Sequence, residues 1–155
     1  MTIKVRFAAP DDAEIVYKFI MDLATYERDP EAVEVTPKIL AKQMELHKPP
    51  FECLIAEENS EPVGFALFYH NYSTWIGKMG IYVEDIFVPP SLRRRGIGLK
   101  LMEELAEISR ARDCGRIEWN VLNWNEPAKG FYRSFGAIPL EDWTIFRMEV
   151  KTLID

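Results

Sequence analysis

Two acids and three arginines lie close together in the middle of the chain. Val83-Glu84-Asp85-Ile86-Phe87-Val88-Pro89-Pro90 is an apolar run carrying a carboxylate pair, and Ser91-Leu92-Arg93-Arg94-Arg95-Gly96-Ile97-Gly98 follows it directly. A strand, a tight turn rich in backbone N–H groups and the start of a helix together make an anion site. Gly96 and Gly98 lack a Cβ, so phosphate oxygens can approach the main chain. Arg93, Arg94 and Arg95 add charge and fork-shaped donors suited to phosphate. The turn is expected to hold the pyrophosphate of a nucleotide-like cofactor, with Glu84 and Asp85 immediately upstream as candidate acid–base or cation-binding groups.

Two common glycine loops do not fit. A P-loop needs Gly-x-x-x-x-Gly-Lys-Ser/Thr, and Gly77-Lys78 runs on into Met79. A dinucleotide fingerprint needs a third glycine after Gly96 and Gly98, where this chain has Leu101. What remains is Arg93-x-x-Gly96-x-Gly98 between an acid-bearing strand and a long amphipathic helix.

The elements that must position these residues can be read in order. Ile3, Val5 and Phe7 alternate with Lys4 and Arg6 as a short strand, and Pro10-Asp11-Asp12 opens a helix carrying Ile15, Val16, Phe19, Ile20 and Leu23. Thr36-Pro37 starts a second helix that Pro49-Pro50 stops. Strands are expected at Phe51 to Glu57, Val63 to Tyr72 and Met79 to Val88, joined by short turns as an antiparallel meander. Ile97, Leu101, Leu105 and Ile108 mark the helix after the arginines, Arg116 to Leu122 a further strand, Asn125-Glu126-Pro127 a helix start, and Trp143 to Val150 a last strand. With no internal repeat or linker, a single α/β (α+β) domain over residues 1–155 is expected, a mostly antiparallel sheet with helices on both faces.

Composition narrows the function classes. The 155 residues are 48% hydrophobic and 28% charged, neither disordered nor membrane-spanning in character. Residues 1–90 hold 15 acids and 8 bases (−7), residues 91–155 10 acids and 11 bases (+1), and the overall −6 argues against nucleic acid as a partner. Cys53 and Cys114 have no metal-ligand spacing, His47 and His70 no neighbouring ligand, so no metal is expected. A free thiol pair and the absence of a leader-like start or an apolar span of roughly 18 residues point to the cytoplasm, away from membranes.

The Arg93-x-x-Gly96-x-Gly98 turn resembles the acyl-CoA motif of the GCN5-related N-acetyltransferases (GNAT superfamily). Trp124-Asn125-Glu126-Pro127-Ala128-x-x-Phe131-Tyr132 and the element order strengthen the likeness. Leu23-Ala24-x-Tyr26-Glu27, Tyr72-Ser73-Thr74-Trp75-Ile76-Gly77-Lys78 and Tyr82-Val83-Glu84-Asp85-Ile86-Phe87-Val88 are most similar to the spermidine/spermine (diamine) and thialysine acetyltransferase group. The resemblance implies acetyl-CoA as co-substrate, with its pyrophosphate on the Arg93–Leu99 turn (Arg93, Arg94, Arg95, Gly96, Ile97, Gly98, Leu99). It further implies that Ile86, Phe87 and Val88, where the sheet splays apart, pair with the pantetheine amides, and that Asn125 also contacts the cofactor. By the same resemblance Tyr132 is the general acid, which suits a phenol of ordinary pKa near ~10 facing a thiolate whose acid lies near ~8.5. Glu84 is implied as the group that meets the amine, either as base through ordered water or only as a cation contact. Tyr26, Glu27, Asp85, Glu141 and Trp143 are implied substrate contacts. The expected activity is acetyl transfer to a primary amine of a diamine or polyamine by direct attack in a ternary complex. Thialysine, another small amine or a protein amine are the alternative acceptors, and a non-catalytic acyl-CoA-binding domain is a further alternative. A homodimer is implied, with the C-terminal strand (Trp143 to Val150) near its interface.

Overall fold

The structure, a computed structural model, describes residues 2–153. The chain divides into two compact units, Met1–Asn120 and Val121–Asp155. The first contains β1 (Ile3–Phe7), α1 (Ala13–Tyr26), α2 (Pro37–Met44), β2 (Glu52–Glu58), β3 (Glu61–Ser73), β4 (Lys78–Phe87), α3 (Ile97–Ala111) and β5 (Ile117–Trp119). The sheet order is β1-β2-β3-β4-β5; the first four strands pair antiparallel and β5 joins β4 parallel, as the α3 crossover requires. The mixed, mostly antiparallel sheet expected from the sequence is present.

Local chemistry accounts for the element boundaries. The Asp12 carboxylate accepts from the Ala9 amide at 2.7 Å and pairs with Arg6 of β1 at 2.8 and 2.9 Å, which holds its pKa below the usual range. The Thr36 hydroxyl accepts from the Ile39 amide at 3.2 Å, and Pro37 occupies the first turn of α2. Asn59 and Ser60 both take positive φ (51° and 65°), the geometry of a tight β2–β3 hairpin.

The core lies on both sheet faces. On one, Ala13, Val16 and Phe19 of α1 and Leu40 of α2 pack on Cys53, Ile55, Phe65, Leu67 and Phe87, with Phe19 stacked on Phe65 at 5.2 Å. On the other, α3 buries Ile97, Leu101, Leu105 and Ile108 while Leu54, Ala66, Phe68, Ile81 and Val83 are buried on the sheet. Gly64 lets α3 approach: a Cβ there would stand 3.1 Å from the Phe87 carbonyl and 3.2 Å from the Ile97 and Val88 side chains.

In the second unit α4 spans Glu126–Ser134, and a short 3-10 turn covers Val150–Leu153. Two expectations need correction. β5 is three residues long, not the seven of Arg116 to Leu122. The strand expected at Trp143 to Val150 is absent: among the described residues this stretch joins no ladder, and Trp143, Ile145, Phe146, Met148 and Val150 are exposed. Its β-prone residues satisfy the composition of a strand, but a strand exists only where a neighbour takes its backbone hydrogen bonds.

Candidate active site

The strand β4 is irregular at its carboxylates. Val83 pairs with Phe68 and Asp85 with Leu67, so Glu84 is an extra residue, a β-bulge. Directly paired residues share a sheet face. Asp85 therefore sits on the Leu67 side, with Phe87 opposite Phe65 and Tyr82 opposite Tyr69 in the same row. In an unbroken strand Val83 and Asp85, two residues apart, would share a face; the inserted Glu84 sets them on opposite ones, Val83 with Phe68 and Asp85 with Leu67 on the α1 side. β5 pairs with β4 only at Ile81, Tyr82 and Val83, and β4 runs on through Phe87 beyond that pairing. The sheet of this unit opens at the bulge.

Three carboxylates surround the opening. Glu84 is exposed, whereas Asp85 is half-buried. Burial first, then the charges of Glu84 and Glu27, push Asp85 up to about 7. Glu27, the residue after α1, is half-buried, and burial raises its pKa as well. Tyr69 and Tyr82 lie with rings 5.3 Å apart, and burial and then the Glu84 charge raise both phenols. The Cys53 thiol is pushed up by burial and by Asp85, which keeps it protonated and inert.

The arginine turn holds α3 in place. After a 3-10 turn at Pro90–Leu92, Arg94 adopts φ 64° and Gly96 φ 80°, both left-handed, and Gly96 caps α3. The first helical hydrogen bond runs from the Lys100 amide to the Gly96 carbonyl at 3.0 Å. The amides of Ile97, Gly98 and Leu99 thus belong to the first turn, whose N–H groups have no acceptor within the helix. A Cβ at Gly96 would meet nothing within 4 Å, so the main chain is open there. This cradle fits a pyrophosphate.

Two of the three arginines are already engaged. The Arg95 guanidinium donates to both carboxylate oxygens of nearly buried Glu58, at 2.8 and 2.7 Å, which ties the turn to the end of β2. Arg93 donates through Nε to the Val88 carbonyl at 2.8 Å, and its guanidinium lies 4.5 Å over the Tyr26 ring and 5.7 Å from that of Phe87. Tyr26 in turn packs against Phe87 at 6.3 Å. Arg93 therefore joins the glycine turn to the end of α1, where Tyr26 and Glu27 stand. The Arg94 side chain is exposed. Ile86 is half-buried and Phe87 and Val88 are buried on the strand leading into the turn.

In the second unit, Asn125 is buried and caps α4, its side-chain oxygen accepting from the Ala128 amide at 3.4 Å. Tyr132 stands within an aromatic group, edge-on to Phe131 at 5.7 Å and to Phe135 at 6.2 Å. Glu141 and Trp143 are exposed in the extended stretch that follows.

Sequence reasoning assigned no role to His70 or Cys114. The structure groups them with Arg112, whose guanidinium pairs with Glu52 at 2.6 and 2.8 Å and lies 2.8 Å from His70 Nε2. His70 Nδ1 contacts the Gly80 carbonyl at 3.0 Å, and Cys114 Sγ is 4.0 Å from the same nitrogen. This cluster ties the C-terminal end of α3 to β2 and β3, away from the glycine turn at its other end. Among the described residues no group of three or more His, Cys, Asp or Glu has metal-binding geometry.

Comparison with known proteins agrees with this geometry. Residues 14–137 match the acetyltransferase (GNAT) family. The thialysine N-epsilon-acetyltransferase of Bos taurus is 35% identical over 162 residues, covering 97% of this chain and 95% of that protein. The spermidine/spermine N(1)-acetyltransferase-like protein 1 of Homo sapiens is 32% identical over 98% of this chain and 23% of its own length. Among solved structures, an integron cassette protein from the mobile metagenome of V. cholerae superposes with a TM-score of 0.80 at 26% identity, covering 99% of this chain and 96% of that one. An opened sheet, a left-handed glycine cap and a first helical turn with free amides are what a thioester donor needs, and with these likenesses they make the chain an acetyl-transferring enzyme of the acetyltransferase (GNAT) family.

Proposed function

We propose that the protein transfers acetyl from acetyl-CoA to a primary amine of a small diamine or polyamine, by direct attack in a ternary complex. The observation that carries this reading is the pairing of two chemistries along one segment: carboxylates Glu84 and Asp85 at the opened strand, joined by Glu27 from the end of α1, and the Gly96-capped turn just after the strand. A cationic acceptor is drawn to the first and a polyanionic donor to the second. Acetyl-CoA supplies the activated acetyl thioester. The amides of Ile97, Gly98 and Leu99 bind its pyrophosphate, and Ile86 and Phe87 at the edge of β4, with Val88 just beyond, orient its pantetheine arm. Tyr132 holds a proton for the departing sulfur, with Asn125 fixing the start of its helix. Tyr26, Glu84 and Glu27 contact the amine, and Glu141 and Trp143 its distal part.

A thialysine-type amine is the second reading, favoured by relatives of that name that match nearly the whole chain. Both acceptors are small and cationic, so an amine panel separates them. Initial rates with acetyl-CoA are measured against putrescine, spermidine, thialysine and a peptide N-terminus. The reading expects a kcat/KM at least tenfold higher for a diamine than for the peptide; equal turnover of the two refutes it. The exposed apolar run from Trp143 to Val150 supports a homodimer, which light scattering would detect as twice the 18.0 kDa chain mass.

A further inference from the structure

We propose that the carboxylate of Asp85, rather than that of Glu84, accepts the proton from the acceptor ammonium. This deepens the acetyl-transfer reading above and rests on it. The resemblance assigns that work to Glu84. Asp85 pairs with Leu67 and so lies half-buried on the α1 side of the opened strand, while Glu84, the extra residue of the bulge, is exposed to water.

The groups facing Asp85 fit a proton acceptor. Glu84 lies on its own strand, Glu27 and Tyr26 at the end of α1, and Cys53 on β2 holds a neutral thiol. Arg93, in the turn that follows, is directed to the Val88 carbonyl and to the Tyr26 and Phe87 rings. No positive side chain among the described residues pairs with Asp85. An arriving ammonium would be its first cation. Burial and the two neighbouring acids raise Asp85 to about 7, close to the operating range of a general base. A solvated carboxylate near ~4.3 holds a proton far more weakly against an ammonium near ~10.4.

The proton count closes. An N–H bond of R–NH3+ breaks and an O–H bond forms on Asp85. The freed lone pair attacks the thioester carbonyl, so that C–N forms and C–S breaks. The second proton on nitrogen passes to the sulfur side, and Asp85 returns its own to water. The net products are the N-acetyl amine, the free thiol and one proton.

The test combines a measurement on the ligand-free protein with kinetics. Carboxyl 13C NMR with labelled aspartate should show one resonance titrating near neutrality that is missing in Asp85→Asn. Asp85→Asn should lose on the order of 10²-fold or more in kcat, together with the acid limb of kcat/KM near neutral pH. Its acetyl-CoA affinity by calorimetry should stay within threefold of wild type. Glu84→Gln should retain that acid limb and act mainly by raising KM for the amine. The proposal is overturned if Asp85 titrates in the ordinary carboxylate range. It is equally overturned if Asp85→Asn keeps near-wild-type kcat while Glu84→Gln abolishes the acid limb. A wild-type protein that binds acetyl-CoA yet acetylates no amine in the panel overturns the acetyl-transfer reading itself, a different result from an active wild type indifferent to Asp85→Asn.

Discussion

The half-buried carboxyl of Asp85 makes folding stability depend on pH in a direction opposite to most acids. Its value rises from the ordinary 3.8 to about 7 in the folded state. Below 3.8 both folded and unfolded chains hold the proton. Above it the unfolded chain ionises while folded Asp85 stays protonated, so the folded state binds more protons and stability falls as pH rises, levelling off past about 7. At 1.36 kcal/mol per unit, the part of this window between pH 5 and pH 8 amounts to roughly 2.7 kcal/mol. Asp85→Asn has nearly the same shape and no charge, so it should escape this loss. Urea denaturation of both proteins at pH 5, 6, 7 and 8 isolates the effect, since titrating groups that do not interact with Asp85 cancel in the difference. The variant should be relatively more stable at pH 8 than at pH 5 by roughly 2–3 kcal/mol, or on the order of 5–10 °C in Tm for a chain this long. A difference that stays flat with pH, to within ~0.5 kcal/mol, would mean Asp85 is ionised in the folded protein and would refute the reasoning.

Arg93→Ala removes a cation–π contact worth about 0.5–2 kcal/mol and the bond to Val88. Because Arg93 binds Tyr26, the variant should raise the amine KM severalfold more than the acetyl-CoA Kd; an equal rise in both would point to direct phosphate contact. Gly96→Ala forces a Cβ into φ 80° and should cost about 1–2 kcal/mol in urea denaturation despite the open space around it. Tyr132→Phe should lower kcat on the order of 10²-fold or more with acetyl-CoA Kd unchanged, checked by stopped assays beside calorimetry. A non-catalytic binder would have no such activity to lose.

Much of this was legible from residue types alone. Pro37 after Thr36, the glycines of the turn and the stripe from Ile97 to Ile108 each act locally, so spacing reveals them. The bulge at Glu84 could not be seen that way. It is a mismatch between two strands, and the register of β4 against β3 exists only once Phe68 and Leu67 have chosen partners. The destinations of the arginines were hidden for a similar reason. Arg93, Arg94 and Arg95 look alike in sequence, yet Arg95 is claimed by Glu58, 37 positions away, and Arg93 by an aromatic ring at the end of α1. The left-handed φ of 64° at Arg94 was hidden too, since that conformation is one glycine adopts without strain and nothing in the residue type announces it. Trp143 to Val150 misled because β propensity reports what a segment tolerates, while the ladder depends on a neighbour.

That stretch also bears on how the protein behaves in concentrated solution. Trp143, Ile145, Phe146, Met148 and Val150 expose a run of β-prone apolar side chains to water, the kind of sequence that seeds fibrous or amorphous clumping when copies pair through their backbones. Asp142 precedes it and Arg147 and Glu149 are interspersed along it, and they act as gatekeepers: charges brought into register repel a stack of identical segments while permitting one well-matched neighbour. Neutralising Arg147 and Glu149 together would therefore be expected to shorten shelf life before it altered turnover.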